Sequence, residues 1–153
     1  MMPTLRPATP QDADAIASVL LESRRAFLPY APSAHTDEAV HAWVAGHLIP
    51  HTLVTVATVA GRVVGVLAAS EDETGSWIDQ FYLLPGHVGN GLGSSMLSQA
   101  HAQLRRPIRL YTFQENRLAR RFYERHGYSA IVFSDGSGNE ERCPDVLYEL
   151  GSA

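Results

Sequence analysis

A glycine-rich turn in the middle of the chain restricts the fold more than any other feature. It reads Val88-Gly89-Asn90-Gly91-Leu92-Gly93 and joins a strand-like run to a helical run. Glycine reaches positive φ and has no Cβ, so the backbone of such a turn can approach a ligand closely. The first N–H groups of a helix have no intrahelical partners and lie at the positive end of its dipole. The turn therefore predicts an anion site, best suited to a phosphate or a diphosphate.

The same spacing also occurs in turns that only connect a strand tightly to a helix, so the turn alone leaves both interpretations open. Two phosphate loops are excluded. The turn lacks the Gly-Lys-Ser/Thr of a P-loop. A dinucleotide fingerprint would open the first βαβ unit and be followed after about twenty residues by an acidic residue at a strand end. Here the turn lies mid-chain, and Glu115 stands too close to the next helical run.

Composition narrows the class of protein. The 153 residues, 45% of them hydrophobic, predict one globular domain over residues 1–153. A net charge of −4 with scattered arginines and no lysine argues against a nucleic-acid partner. No run approaches eighteen apolar residues, and no leader is evident, so we expect a cytoplasmic protein without a membrane anchor.

Histidine and cysteine spacing predicts that no metal is bound. Cys143 is the only cysteine, which excludes a cysteine metal cluster and an internal disulfide. His47 and His51 are four residues apart, but we expect a helix stop at Pro50 to separate them.

Hydrophobic periodicity predicts helices at about 10–28, 36–50, 94–104 and 116–126. In the second helix, Val40, Trp43, Val44 and His47 would share the inner face. Strands are predicted at 4–8, 52–59, 62–70, 76–84, 107–112, 129–134 and 145–150. Because hairpins alternate with crossovers in this order, the sheet should be mixed.

Three segments together resemble the GCN5-related N-acetyltransferase (GNAT) family. Residues 78–83, followed by Pro85 and the glycine turn, look like its acyl-CoA motif of Arg or Gln, two residues, Gly, any residue, and Gly or Ala. Residues 116–128 are similar to its Asn…Ala…Phe-Tyr-Glu…Gly-Phe/Tyr segment, and residues 5–14 to its opening strand and turn. The resemblance covers nearly the whole chain in order. Val88 departs from it, but in the family the main chain of that residue makes the contact, so a valine N–H can still donate.

The resemblance implies an α+β fold with a mixed, strongly bent sheet of about seven strands flanked by four helices. It also implies acetyl-CoA as co-substrate, with its pantetheine arm lying between diverging strands. A backbone N–H near Leu83 would stabilise the oxyanion. The residues expected at the coenzyme are Phe81, Leu83, Val88, Gly89, Asn90, Gly91, Leu92, Gly93, Ser94, Asn116 and Phe122.

For catalysis, the resemblance makes Tyr123 the general acid toward the departing sulfur; otherwise it would be read as an ordinary core tyrosine. Asp79 is the best candidate base, because burial in an apolar strand would raise its pKa. A structural aspartate bonded to the backbone or to Arg6 is equally compatible, and a water chain ending at Glu22 or His35 could replace it. Contacts to the acceptor are expected from Tyr30, His35 and Trp77, with Trp43 as a further candidate that would otherwise be core.

The predicted function is transfer of an acetyl group from acetyl-CoA to a primary amine, by direct attack in a ternary complex. The acceptor could be a small amine, an amino acid, an aminoglycoside-like compound or a peptide N-terminus. The alternative is a non-catalytic acyl-CoA-binding or regulatory module of the same fold. A weaker alternative is an adaptor whose apolar helix surface serves dimerisation, and the sequence is compatible with a homodimer.

Overall fold

The computed structural model describes residues 2–31 and 35–152, and its centre is one mixed seven-stranded sheet. The strands lie in the order β1-β2-β3-β4-β5-β7-β6. Only the β4–β5 pair is parallel. The predicted fold class is confirmed. The strands are β1 (Thr4–Pro7), β2 (Leu53–Val59), β3 (Arg62–Asp72), β4 (Gly75–Leu83), β5 (Ile108–Phe113), β6 (Ser129–Ser134) and β7 (Asp145–Leu150).

Four helical segments flank this sheet. They are α1 (Ala13–Phe27) after a 3-10 turn (Pro10–Asp12), α2 (Asp37–Trp43), α3 (Leu92–Gln103) and α4 (Arg117–Arg125). Side chains cap two of these helices at their N-termini: the Thr36 hydroxyl accepts from the Ala39 N–H, and the Asn116 side chain accepts from the Ala119 N–H. No helix among the described residues is both long enough and apolar enough to cross a lipid bilayer.

β3 is the central strand that its apolar sequence predicts. Val63 to Ala69 are buried without interruption. The hairpin from β2 turns at Ala60 and Gly61, whose φ values of 52° and 79° are both positive, as in a type I′ turn. The hairpin therefore places β4, the next strand, beside a rigid buried neighbour.

β4 and β5 are paired only near their N-terminal ends and then diverge. Their parallel register holds only two pairs, Ser76 with Ile108 and Trp77 with Arg109, whereas β5 pairs with β7 along its whole length. A bulge in β4 lies at Asp79, where the register with β3 shifts between Ala68 and Ala69. The sheet therefore has a gap between the C-terminal ends of β4 and β5.

Alternation along β4 places helices on both faces of the sheet. Tyr82 reaches Arg24 of α1, while Phe81 contacts Phe122 of α4. A Cβ on Gly93, in the first turn of α3, would lie 3.5 Å from Leu83. Since successive strand residues point to opposite faces, α1 covers one face and the start of α3, with α4, covers the other.

The second helical segment differs from its prediction in two ways. Trp43 is 38% exposed and His47 is exposed, whereas Val44 is buried as predicted, Val40 packs partly buried against the core, and Leu48 joins this inner face. The helix ends at His51, close to its predicted end, but it passes through a π-helical turn (Val44–Leu48) before its last turn (Ile49–His51). A π turn rotates the residues that follow it and rearranges the backbone acceptors, so Pro50 is accommodated without ending the helix.

Candidate functional site

The gap between β4 and β5 opens into a cleft of about 470 Å³, within the range of ordinary ligand sites. It contains most residues expected at the coenzyme, together with the expected acid: Phe81, Leu83, Val88, Gly89, Gly91, Gly93, Ser94, Asn116, Phe122 and Tyr123. Six further residues line it that the sequence did not indicate: Phe27, Leu28, Tyr82, Leu118, Ala119 and Arg125.

The glycine turn presents backbone donors at one end of this cleft. Gly89 and Gly91 have φ values of +86° and +89°, which a residue with a side chain adopts only under strain. The N–H groups of Gly89, Gly93 and Ser94 have no acceptor among the described residues. These donors, at the N-terminus of α3, fit the diphosphate of a coenzyme.

Three residues of the turn have supporting positions. The Asn90 side chain accepts from the Leu92 N–H at 3.3 Å, which fixes the turn from within. Leu92 is buried in the core, so its side chain anchors the start of α3. The Val88 N–H lies 3.5 Å from the Pro85 oxygen, at the limit of a hydrogen bond, and is held more weakly than the Leu92 N–H.

Tyr123 lies deeper in the cleft. Its side chain is only 7% exposed, and its ring packs against Phe122, Tyr128 and Tyr148. Its hydroxyl makes no hydrogen bond to any residue in the described part of the chain. Burial raises the pKa of Tyr123 well above its usual value, and Tyr128 and Tyr82 add to the effect. The hydroxyl is therefore a neutral donor that faces the cleft.

Arg125 is the basic residue that the sequence analysis missed. It lies three residues after Phe122, one helical turn on, and its guanidinium lies 6.0 Å from the centre of the Phe122 ring. Its position three residues after Phe122, a residue expected at the coenzyme, was the sequence signal that could have placed Arg125 in the cleft. Arg125 is the only charged side chain among the described residues that line this cleft, and it adds a positive charge there.

Asp79 differs from its expected environment. The bulge in β4 turns it outward, so its side chain is exposed instead of buried in the strand. Partial burial still raises its pKa, although a hydrogen bond with Ser70 opposes this shift. The predicted alternative of an ion pair between Asp79 and Arg6 is also wrong, because Arg6 donates two hydrogen bonds of 2.8 Å to Asp12.

A second cleft, of about 330 Å³, lies on the α1 face of β4. Its residues come from α1, the segment up to α2, α2 itself, β4 and the β6–β7 loop: Leu20, Leu21, Arg24, His35, Ala39, Val40, Trp43, Gln80, Glu140 and Glu141. Of the residues expected at the acceptor, His35 lies here, and so does the further candidate Trp43. Glu140 and Glu141 were not expected, because the sequence predicts only a flexible tip at residues 135–140, between β6 and β7.

Two side-chain contacts join the sides of this second cleft, and the one between Arg24 and Glu141 is an ion pair. His35 lies 3.1 Å from Glu140, and Arg24 lies 3.7 Å from Glu141. Arg24 also donates to the Tyr82 hydroxyl at 3.2 Å. Because Tyr82 lines the first cleft, the two clefts adjoin at the end of β4.

Tyr30 and Trp77 line neither of these two clefts. Trp77 stacks on Tyr111 with ring centres 5.8 Å apart and donates to Asp72. Tyr30 packs edge-on against Phe113, and its buried hydroxyl has no partner among the described residues. Desolvation by burial raises the pKa of Tyr30 to about 12.

The expected separation of His47 and His51 is wrong, because the helix continues through Pro50. Their ring centres lie 5.2 Å apart on its exposed side. Among residues 2–31 and 35–152, no group of three or more metal-ligating side chains is arranged around a common point.

Comparison with known proteins identifies a family pattern in this chain. A sequence model of the acetyltransferase (GNAT) family matches residues 18–128, which include both clefts' helices and the glycine turn. No curated protein matches the sequence.

Solved structures share the fold over almost the full length. The PaiA N-acetyltransferase of Thermoplasma acidophilum, in complex with coenzyme A, superposes with a TM-score of 0.79 at 17% identity, covering 99% of this chain and 100% of its own. A GNAT-family acetyltransferase of Bacillus cereus gives 0.77 at 14% identity, with 100% and 99% covered. Ard1 of Thermoplasma volcanium gives 0.74 at 21% identity, with 97% of each chain covered.

Proposed function

Because the chain belongs to the acetyltransferase (GNAT) family, we propose that it transfers the acetyl group of acetyl-CoA to a primary amine in a ternary complex. The observation that carries the proposal is one cleft with unpaired backbone donors at one end and the Tyr123 hydroxyl deeper inside. A diphosphate fits the first feature, and a departing thiolate needs a proton from the second.

In the proposed complex, the glycine turn holds the diphosphate and Arg125 adds positive charge beside it. The pantetheine arm enters the gap between β4 and β5, against Phe81, Leu83 and Phe122. The buried Ser23 hydroxyl donates to the Leu83 carbonyl at 2.8 Å and so fixes this end of β4. A backbone N–H near Leu83 is the proposed oxyanion donor, and such a donor typically contributes on the order of 10²–10³ in rate.

The proposed reaction is a direct displacement. The neutral amine attacks the thioester carbonyl, a C–N bond forms, and the C–S bond breaks as the sulfur takes the Tyr123 proton. The attacking nitrogen loses its extra proton to Asp79 or to water, and solvent returns a proton to Tyr123. The raised pKa of Tyr123 supports this role, because the hydroxyl stays protonated at neutral pH.

The acceptor would enter through the second cleft. It adjoins the first at Tyr82, which allows both substrates to be bound at once. His35 is the residue of the expected acceptor set that supports this route; Tyr30 and Trp77 lie outside both clefts. Cys143 lines neither cleft, which supports direct transfer over a route through an acyl-cysteine.

Release of free thiol from acetyl-CoA, followed with a panel of primary amines, tests this proposal. We expect amine-dependent release that is at least tenfold faster than hydrolysis alone. A protein that binds acetyl-CoA but releases no thiol with any amine would contradict transfer and leave the non-catalytic acyl-CoA-binding module.

A further inference from the structure

The second cleft combines an apolar floor with a charged rim. The floor consists mainly of aliphatic side chains and one indole ring, with one amide side chain from β4: Leu20, Leu21, Ala39, Val40, Trp43 and Gln80. Leu20 and Leu21 are buried, while Trp43 stays 38% exposed beside the opening. An apolar group placed on this floor would remove hydrophobic surface from water, which is favourable.

The rim is acidic on balance. Glu140 and Glu141 come from the β6–β7 loop, and Arg24 is the permanently charged base that faces them. With His35 neutral, these groups sum to one negative charge, so a ligand with a single positive charge would neutralise the cleft.

Glu141 is the carboxylate closest to where the two clefts meet. It lies 3.7 Å from Arg24, and Arg24 donates to Tyr82, which lines the coenzyme cleft. Its side chain is only 18% exposed, against 67% for Glu140, so water screens its charge less. An ammonium group at Glu141 would therefore lie beside the place where the thioester is proposed to be.

We propose that the acceptor is a small amine with one positive charge and an apolar alkyl or aryl body, an inference that rests on the proposed acetyl transfer. Its ammonium binds at Glu141 and loses one proton to water before the nitrogen attacks, and its body lies along Val40 and the Trp43 ring. Among the described lining residues, a second ammonium would have only Glu140, which is 67% exposed and already contacts His35. A polyhydroxylated amine would find only the Gln80 amide on the floor and would leave most of its hydroxyl groups unpaired there. The inference thus separates this acceptor from polyamines and aminoglycosides.

Calorimetric titration in the presence of saturating CoA tests the inference without requiring turnover. We expect 2-phenylethylamine to bind at least tenfold more tightly than 2-phenylethanol, which lacks the charge, and than putrescine or glucosamine. Loss of a hydrogen bond to a charged group and loss of an apolar contact each correspond to a dissociation constant about tenfold higher. Equal or tighter binding of putrescine or glucosamine would overturn the proposal.

Three variants locate the site. Glu141→Gln keeps the shape of the side chain but removes its charge, and Trp43→Ala removes the aromatic wall; each should weaken 2-phenylethylamine binding about tenfold. Glu73→Gln changes the net charge equally, but in the exposed turn before β4, and should leave binding unchanged. Equal binding by Glu141→Gln and Glu73→Gln would overturn the assignment.

Failure of the two proposals can be told apart. Binding of 2-phenylethylamine without any thiol release would contradict acetyl transfer and retain the assigned site. Thiol release that is fastest with putrescine or glucosamine, and insensitive to Trp43→Ala, would retain acetyl transfer and overturn the acceptor class.

Discussion

At the scale of single residues, Tyr123 has a hydroxyl with no protein partner in the described structure, in a side chain that is 7% exposed. A hydroxyl kept only for packing would be expected to find a partner, as that of Tyr128 does with His101 at 2.8 Å. The Tyr30 hydroxyl also lacks a partner among the described residues, but Tyr30 lines neither cleft. The position of Tyr123 in the first cleft is therefore what supports a partner supplied by a ligand.

Replacing Tyr123 by Phe should therefore lower kcat by about a hundredfold, because the departing sulfur loses its acid. The dissociation constant of CoA and the melting temperature should change little, since no protein hydrogen bond is lost. Steady-state thiol release and calorimetry measure these quantities. Tyr128→Phe is the matched control: it should cost stability of about 1 kcal/mol and leave kcat unchanged. A wild-type kcat for Tyr123→Phe would rule out the acid role.

Asp12 joins the start of α1 to β1, and its titration belongs to the same scale. Arg6 and the backbone N–H of Thr9 donate to it, and they hold its pKa at about 2, below the ordinary 3.8. The folded state thus favours the ionised form. Its stabilising effect is fully present above about pH 4 and is lost as the pH falls toward about 2.

Asp12→Asn should accordingly reduce the free energy of unfolding by roughly 1 kcal/mol at pH 6, because Arg6 is partly exposed and water screens the pair. The difference from wild type should shrink as the pH is lowered from about 4 to about 2. Urea unfolding at a series of pH values measures it. A difference that stays constant over this range would show that the ion pair does not stabilise the fold.

At the scale of elements, the geometry of the glycine turn is what allows α3 to offer its N–H groups. Gly91 is the residue before α3 and has a φ of +89°, and a Cβ there would touch nothing within 4 Å. A side chain at position 91 would therefore destabilise the protein through backbone strain and not through a clash. This strain amounts to about 1–2 kcal/mol.

Gly91→Ala should lower the melting temperature by a few degrees and weaken acetyl-CoA binding about tenfold, because the turn relaxes and its donors are re-aimed. Gly86→Ala is the control, since Gly86 also has open space around it but no positive φ. Calorimetry on both variants is decisive: equal affinities would mean that the turn does not hold the coenzyme.

At the scale of the whole molecule, two clefts on either side of β4 allow both substrates to be bound together. Initial rates measured while both substrates are varied should give intersecting double-reciprocal lines, and Cys143→Ser should keep the wild-type kcat. Parallel lines would indicate a covalent acyl-enzyme and contradict direct transfer.

Much of this architecture followed from the sequence, because local signals and the long-range structure agree. The alternation of β2, the apolar run of β3 and the caps at Thr36 and Asn116 each specify an element that the fold retains. The glycine turn and Tyr123 share one cleft, as their motifs predicted.

What the sequence did not predict depends on features that no local pattern records. The bulge at Asp79 and the π turn at 44–48 each shift a register, so Asp79 and His47, which were expected inside, lie outside. Trp43 precedes the π turn and is 38% exposed, where it lines the second cleft. The second cleft needs four distant segments to meet, around residues 20–24, 35–43, 80 and 140–141. For that reason Glu140 and Glu141 were not recognised as neighbours of Arg24 and His35.

The most direct measurement is an amide NMR titration of isotope-labelled protein with acetyl-CoA. We expect saturable, one-to-one binding in which the largest shifts occur at Gly89, Gly91, Gly93 and Ser94, followed by those at Phe81 and Leu83. Saturation with the largest shifts elsewhere, or no shift at millimolar acetyl-CoA, would contradict a coenzyme site formed by the glycine turn and the gap between β4 and β5.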